Sequence, residues 1–448
     1  MVFHTQQGRA NIHKKTFESE ENKMNINVNR WLTFDLSRIF ILEKRAVADF
    51  LFILSLFTAF FGSMNVWLML PLANYYPILA FLFAAGSYVI SRTLREPIFN
   101  ENYFLLPTLA FLLLSYYQAA NNTLNINAYI KATFLGILLS LIFRYDKSRL
   151  EYIATVFAKT IGGLLLVSYP FFLLYIIGFP LPHIDMSFND GFYYFSNYFI
   201  FLIDERTIFA IIPRFQSIFL EPTYLGSTSA LLLMTQRGKW KKWYNISLLV
   251  GLLISFSLAG YAYIVAIVFL NLWTERKKII AKAMGVVFMI AIFTGGAFVY
   301  NGGDNMLHDL ILLRLEVKDG EIAGNNRVSK SFDDEYSSFV ESTDVMLGRD
   351  YDYSNFGDSG YKVFLYDYGI VGVILLYIFY IFAFAKNRDS RSFLSALIVM
   401  SLIFGVDAFV LWMGRFIPLY IVAMRPNPSN AEEQQRPITK SRNTTKEI

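Results

Sequence analysis

Long apolar runs, separated by short polar stretches, fill most of the chain between residues 46 and 424. A helix that crosses the hydrocarbon core of a bilayer needs about 20 apolar residues. On that measure the pattern predicts spans at 47–69, 73–91, 103–119, 126–143, 152–178, 223–236, 244–258, 260–273, 279–299, 361–385, 392–408 and 409–424. The sixth to eighth are short, and the last pair also reads as one kinked helix. The expected fold class is an all-α polytopic membrane protein with about 12 transmembrane helices, within a range of about 10–12.

The basic residues give an independent check on this map. Arg92 and Arg95 follow the second span, and Arg144, Lys147 and Arg149 follow the fourth. Arg237, Lys239, Lys241 and Lys242 follow the sixth, Arg276, Lys277 and Lys278 the eighth, and Lys386, Arg388 and Arg391 the tenth. With twelve spans, all of these loops lie on one side. The positive-inside rule makes that side the cytoplasm, and both termini fall there too. The short loops of the opposite face, near 70–73, 120–125 and 259, hold no Lys or Arg. Residues 1–45 are then a cytoplasmic N-terminal segment without the apolar core of a signal peptide, and Met24 offers an alternative start. Residues 425–448 are rich in polar residues and proline and read as a disordered cytoplasmic tail.

Two long segments face outward, 179–222 and 300–360. The first carries an aromatic run at 192–201, then Asp204-Glu205-Arg206, then an apolar run at 208–212, a pattern for a hairpin lying on the membrane. The second holds thirteen acids against five bases, a net charge of −8. Within it, Ser331-Phe332-Asp333-Asp334 reads as a capping box that opens a helix to about Met346. An earlier helix is expected over Asn305 to Val317.

Composition narrows the chemistry. The chain is 55% hydrophobic and 17% charged, with 44 Phe and 28 Tyr. The absence of cysteine excludes disulfides, thiolate metal sites and cysteine nucleophiles. The four histidines have no metal-ligand spacing, so neither a metal nor another cofactor is expected. A net charge of +5 gives no reason to expect a nucleic-acid partner. Lys131, Lys159 and Asp407 lie within predicted spans and read as interfacial anchors.

The charges that stand out border the outer segments. In Pro213-Arg214-Phe215-Gln216-Ser217-Ile218-Phe219-Leu220-Glu221-Pro222-Thr223-Tyr224-Leu225-Gly226, an arginine and a glutamate precede an apolar run. Pro222 suits the first position of a helix, which places Glu221 at its positive end. Arg214 and Glu221 could also be an ion pair that pins the loop. Arg214, Arg327 and Arg349 are cations in an acidic outer region. A guanidinium binds phosphate through two hydrogen bonds at once, although pairing with neighbouring acids is the plainer role for Arg327 and Arg349. Such a chain could be a transporter, a receptor or an enzyme acting on lipid-linked substrates. No internal repeat favours the first.

The stretch from Arg214 to Gly226 resembles the arginine-to-Glu-Pro segment of Wzy-type O-antigen and polysaccharide repeat-unit polymerases. Further pieces follow in the family's order: Ser255-Phe256-Ser257-Leu258-Ala259-Gly260, Asn325-Asn326-Arg327, Met346-Leu347-Gly348-Arg349, Asp358-Ser359-Gly360-Tyr361 and Tyr368-Gly369-Ile370-Val371-Gly372. Gln216-Ser217 departs from the family's usual Ser-Gly. The resemblance covers roughly residues 45–424 and implies a GT-C-like fold. It also implies metal-independent glycosyl transfer between undecaprenyl-pyrophosphate-linked glycans at the outer face of a bacterial cytoplasmic membrane. The partners it implies are those lipid-linked glycans, the lipid bilayer, a chain-length regulator and a flippase. Arg214, Arg327 and Arg349 would stabilise the departing pyrophosphate. Glu221, with Asp358 as second candidate, would take the acceptor's proton. Glu221 could instead only cap its helix or hold Arg214. Tyr224, Tyr361 and the aromatic run 192–201 would stack on sugar rings or anchor the chain at the interface. Two other activities remain open at this point: an O-antigen ligase and an exporter of polysaccharide or lipid-linked sugar.

Overall fold

The computed structural model describes residues 36–64, 66–99, 126–188, 193–204, 213–236, 239–275, 279–300, 308, 317–318, 321–322, 330–349, 360–384, 390–407 and 414–424. Twelve α-helices are found among them. They are α1 (Leu36–Ser63), α2 (Tyr76–Arg92), α3 (Ile126–Arg144), α4 (Lys147–Ile176), α5 (Pro222–Thr235), α6 (Trp243–Ile254), α7 (Leu258–Glu275), α8 (Ile279–Val299), α9 (Lys330–Val340), α10 (Gly360–Phe384), α11 (Ser390–Asp407) and α12 (Ile417–Met424). All but α9 coincide with an expected apolar span. The expected span at 103–119 lies outside the described residues.

Three helices are long and apolar enough to cross a bilayer, over Glu43–Ser63 in α1, Arg149–Ile176 in α4 and Gly360–Ile381 in α10. Among the described residues, this is the architecture of a mostly helical, membrane-associated protein. The short apolar runs of the sixth and seventh expected spans give short helices. At 1.5 Å per residue α5 and α6 are roughly 21 and 18 Å long, less than the roughly 30 Å hydrocarbon core.

Small residues set the closest packing, because lipid tails already satisfy large apolar side chains. Ala48 and Ser55 of α1 meet Ala80, Ala84 and Ser87 of α2, all buried. The Ser55 hydroxyl donates to the Ala80 carbonyl and the Ser87 hydroxyl to the Ala48 carbonyl, each at 2.7 Å. These bonds keep polar groups satisfied between two apolar helices. Outward, α8 exposes Ile280, Met284, Phe288 and Val299, as a helix bathed in lipid would. One large core joins residues from α1 to α7 with residues of α10, α11 and α12.

The segment after α4 folds differently from the expected hairpin. It forms an antiparallel meander of β1 (Ile184–Phe188), β2 (Tyr193–Asn197) and β3 (Leu202–Asp204). The reversal between β2 and β3 falls at residues 198–201, whereas Asp204 is paired opposite Phe195. The Asn197 side chain explains the position: its Oδ1 accepts the Phe199 amide at 2.8 Å, and Phe199 takes a positive φ of 68°. The apolar run 208–212 lies outside the described residues.

In the acidic segment, α9 ends at Val340 instead of continuing to Met346. Ser342 breaks it, because its hydroxyl accepts the Asp344 amide at 3.2 Å and starts a separate 3-10 turn, Thr343–Met346. Val317 belongs to a two-residue strand, β4 (Val317–Lys318), paired with β5 (Glu321–Ile322), instead of ending a helix. Apart from His308, the rest of that expected helix lies outside the described residues.

Candidate functional site

The chain from Phe215 to Leu220 is irregular yet buried. Buried backbone that is neither helix nor strand survives only where other groups satisfy it. Here the Phe215 amide donates to the Ile254 carbonyl at 3.2 Å, and the Ser217 carbonyl accepts the Leu202 amide at 2.8 Å. The Ser217 hydroxyl lies 3.1 Å from the Ser168 hydroxyl of α4. The segment is therefore clamped between the meander, α4 and the end of α6. Gln216 is 1% exposed, and its Nε2 has no hydrogen-bond partner among the described residues. A buried amide donor without a partner costs about 1–3 kcal/mol.

Arg214 sits at the mouth of this segment. Its Nε donates to the Ser255 carbonyl at 3.3 Å and its Nη2 to the Phe256 carbonyl at 3.2 Å. Both carbonyls lie just past the C-terminus of α6, the negative end of that helix. The contact orients the guanidinium. Two non-glycine residues with positive φ flank it, Ser217 at 50° and Phe256 at 46°. Such backbone costs about 1–2 kcal/mol per residue and gathers at sites that need an unusual shape.

Glu221 is the N-cap of α5 and Pro222 its first residue, as the Glu-Pro pair predicts. The Glu221 carbonyl accepts the Tyr224 amide at 3.1 Å. Its carboxylate makes no capping hydrogen bond. Beyond the cap, α5 is buried almost throughout, with Ser227, Thr228 and Ser229 inside. It crosses α7 at glycines. A Cβ on Gly226 would come within 2.7 Å of the Ser257 Cβ, and one on Gly260 within 2.8 Å of the Gly226 Cα. Real Cβ contacts are never that short, so the crossing requires glycine at both positions. Two segments 29 residues apart, 213–226 and 255–260, thereby become one structural unit.

A second unit forms around Arg349. A Cβ on Gly369 would lie 2.5 Å from the Met346 carbonyl, and Gly369 itself has φ 62° inside a kinked α10. The Arg349 amide donates to the Tyr366 carbonyl at 2.6 Å. The side chain is taken up by acids: Nε donates to Asp344 and Nη1 to Glu335, both at 2.8 Å. Hydrogen bonding to Asp344 pushes the guanidinium pKa further up. Burial, the largest influence on Tyr336 of α9, pushes that hydroxyl up. Lys362 pairs with Asp333 at 3.0 Å, so the acidic segment is laced onto the start of α10.

Tyr361 lies exposed in the first turn of α10, and Tyr224 lies half-buried in the first turn of α5. Arg327 and Asp358 are outside the described residues. Among the described residues no group of three or more His, Asp or Glu side chains has a metal-ligand arrangement. One residue beside α5 was passed over in the sequence. Arg415 is 4% exposed, and its guanidinium carbon lies 4.7 Å from the Tyr224 ring centre. Its only signal is a single arginine inside the apolar run 409–424. No protein-family model matches the chain, and no curated protein or solved structure matches it significantly.

Proposed function

We propose that this chain is a polymerase of undecaprenyl-pyrophosphate-linked repeat units. It would act at the outer face of a bacterial cytoplasmic membrane, with both termini cytoplasmic and about twelve spans in a GT-C-like arrangement. The observation that best supports the reading is the joining of 213–226 with 255–260. The arginine on one meets the carbonyls of the other, beside the glutamate that opens α5.

The chemistry follows from these groups. The acceptor hydroxyl attacks the anomeric carbon of the donor glycan. A new C–O bond forms, the bond to the phosphate oxygen breaks, and the pyrophosphate leaves with that electron pair. Negative charge grows on the leaving group, where an oriented Arg214 stabilises it most in the transition state. The hydroxyl proton passes to Glu221. Arg327 and Asp358 remain candidates for the second cation and second base. Arg349, bonded to two carboxylates, positions the acidic segment in this scheme.

The test is a strain lacking the chromosomal copy, complemented with membrane-inserted variants. Arg214→Ala should leave surface glycan of one repeat where the wild type gives a ladder. A full ladder from that variant would remove the assignment. Accumulation of long lipid-linked polymer would indicate ligation instead. A short helix entered through buried irregular chain is also a transporter feature. Transport of a lipid-linked sugar across vesicles without any change in glycan length would favour an exporter.

A further inference from the structure

Charges near the start of α4 are paired. Arg149 meets Asp49, and Glu151 accepts Lys239 at 2.6 Å. Lys159 differs. It is exposed, lies inside the apolar span Arg149–Ile176, and has no ion pair or hydrogen bond among the described residues. Its Cα is about 15 Å along the helix from Arg149, at the depth of lipid tails. An ammonium there must reach the interface along its own stem or meet an anion. Helical side chains lean toward the helix N-terminus, which here is the basic end of α4.

Lys159 also closes one end of a cavity of about 370 Å³. The cavity follows one face of α4 through Gly163 and Val167 to Ser168. That is about 14 Å along the axis, close to the depth of one leaflet in a hydrocarbon core of roughly 30 Å. Its other wall is Ile200, from the turn between β2 and β3, and Ile218 of the buried irregular segment. Val167 is 54% exposed, so the groove opens toward surrounding lipid. Ser168 ties both walls to α4: its hydroxyl donates to the Ile200 carbonyl at 2.7 Å and lies 3.1 Å from the Ser217 hydroxyl.

Two adjacent glycines in α4 serve different ends. A Cβ on Gly162 would come within 2.7 Å of the Tyr244 carbonyl, so α6 requires that glycine. A Cβ on Gly163 would meet nothing closer than the Trp243 ring at 3.9 Å, an ordinary contact. Glycine weakens a helix interior relative to alanine, and no protein contact asks for it at 163. The space it leaves open belongs to the groove.

We propose that this groove holds one tail of an anionic phospholipid from the leaflet at the start of α4, with Lys159 reaching the phosphate and Gly163 making room for the chain. A single cation suits a single phosphodiester, and the groove has the depth of one leaflet, whereas an undecaprenyl chain is far longer. The tail ends against Ile200 and Ile218, so an occupied groove braces the clamp around 215–220. The inference needs α4 in a bilayer and does not depend on the polymerase reading.

The test uses the full chain purified in detergent and stripped of lipid. Native mass spectrometry reads lipid retention, and thermal unfolding reads its effect. The probes are phosphatidylglycerol, diacylglycerol with the same chains, and undecaprenyl phosphate. The wild type should retain phosphatidylglycerol in preference to both others and unfold at a higher temperature with it. Lys159→Met should bind it about fivefold more weakly, the worth of one basic residue facing anionic lipid, and Lys159→Arg should bind as wild type. Gly163→Leu should lose the bound lipid yet unfold, without lipid, at the wild-type temperature. If the leucine variant does not fold, the exposed Lys159→Met decides the matter. Unchanged affinity in the Lys159→Met variant, or a wild type that holds diacylglycerol as tightly, would overturn the proposal. Tighter retention of undecaprenyl phosphate would also overturn it and give the groove to a lipid-linked substrate.

Discussion

Two arginines in this molecule are held in opposite ways. Arg214 is bonded to main-chain carbonyls at a helix end, beside a buried irregular segment. Arg349 is bonded to Glu335 and Asp344 on a half-exposed surface. Both units close through glycines that allow backbone to touch, Gly226 with Gly260 in one and Gly348 with Gly369 in the other. The difference lies in these partners of each guanidinium: main-chain carbonyls for Arg214 and carboxylates for Arg349. Carbonyls orient a charge, whereas two carboxylates neutralise it. A cation meant for an anionic leaving group needs the first arrangement. A cation meant to fasten a loop does well with the second.

The largest effect should come from the buried crossing. Gly260→Leu places a side chain into the Gly226 backbone, which cannot yield like a flexible side chain. Overpacking of this kind typically costs about 1–3 kcal/mol or more. The variant should show little folded protein by size-exclusion chromatography in detergent, and a normal monodisperse peak would refute the tight crossing. Next comes Arg214→Ala, which should fold and reach the membrane but lose the polymer ladder. Its stability loss should be about 1.5–3 kcal/mol, the worth of hydrogen bonds from a charged group.

Gly369→Ala should be milder. A side chain there strains the backbone and pushes on the Met346 carbonyl, at a cost of about 1–3 kcal/mol. The acidic segment should loosen, so limited proteolysis should cut faster between residues 330 and 349. Equal cutting rates in variant and wild type would mean that the interlock is unimportant. Gln216→Leu offers a sharper contrast. Removing the unsatisfied amide should raise stability by about 1–2 kcal/mol while shortening the ladder. Higher stability with an unchanged ladder would reduce Gln216 to a packing residue. The smallest effect should be that of Arg349→Gln, a modest shortening of the ladder and faster proteolysis of the same segment. Complete loss of polymer in this variant would reverse the contrast between the two arginines.

Local features were legible in the sequence, and long-range ones were less so. Apolar runs located eleven of the described helices, because each run carries its own signal. The start of α5 was legible because Glu221-Pro222 marks it chemically. The turn at 198–201 was misplaced because Asn197, a single Asx residue inside an aromatic run, outweighed the more conspicuous charges at 204–206. The end of α9 was missed for a similar reason, a lone Ser342 that caps a new turn. The contact of Arg415 with Tyr224 was not legible because it is tertiary: 191 residues separate the two. An arginine in an apolar run was its one local clue.

The most direct measurement uses purified protein in proteoliposomes with a single defined undecaprenyl-pyrophosphate oligosaccharide as both donor and acceptor. Products are read by glycan length and by release of undecaprenyl pyrophosphate. The account predicts stepwise elongation with one pyrophosphate lipid released per step, and neither product from Arg214→Ala. Absence of elongation by the wild type, or equal elongation by the variant, would contradict it.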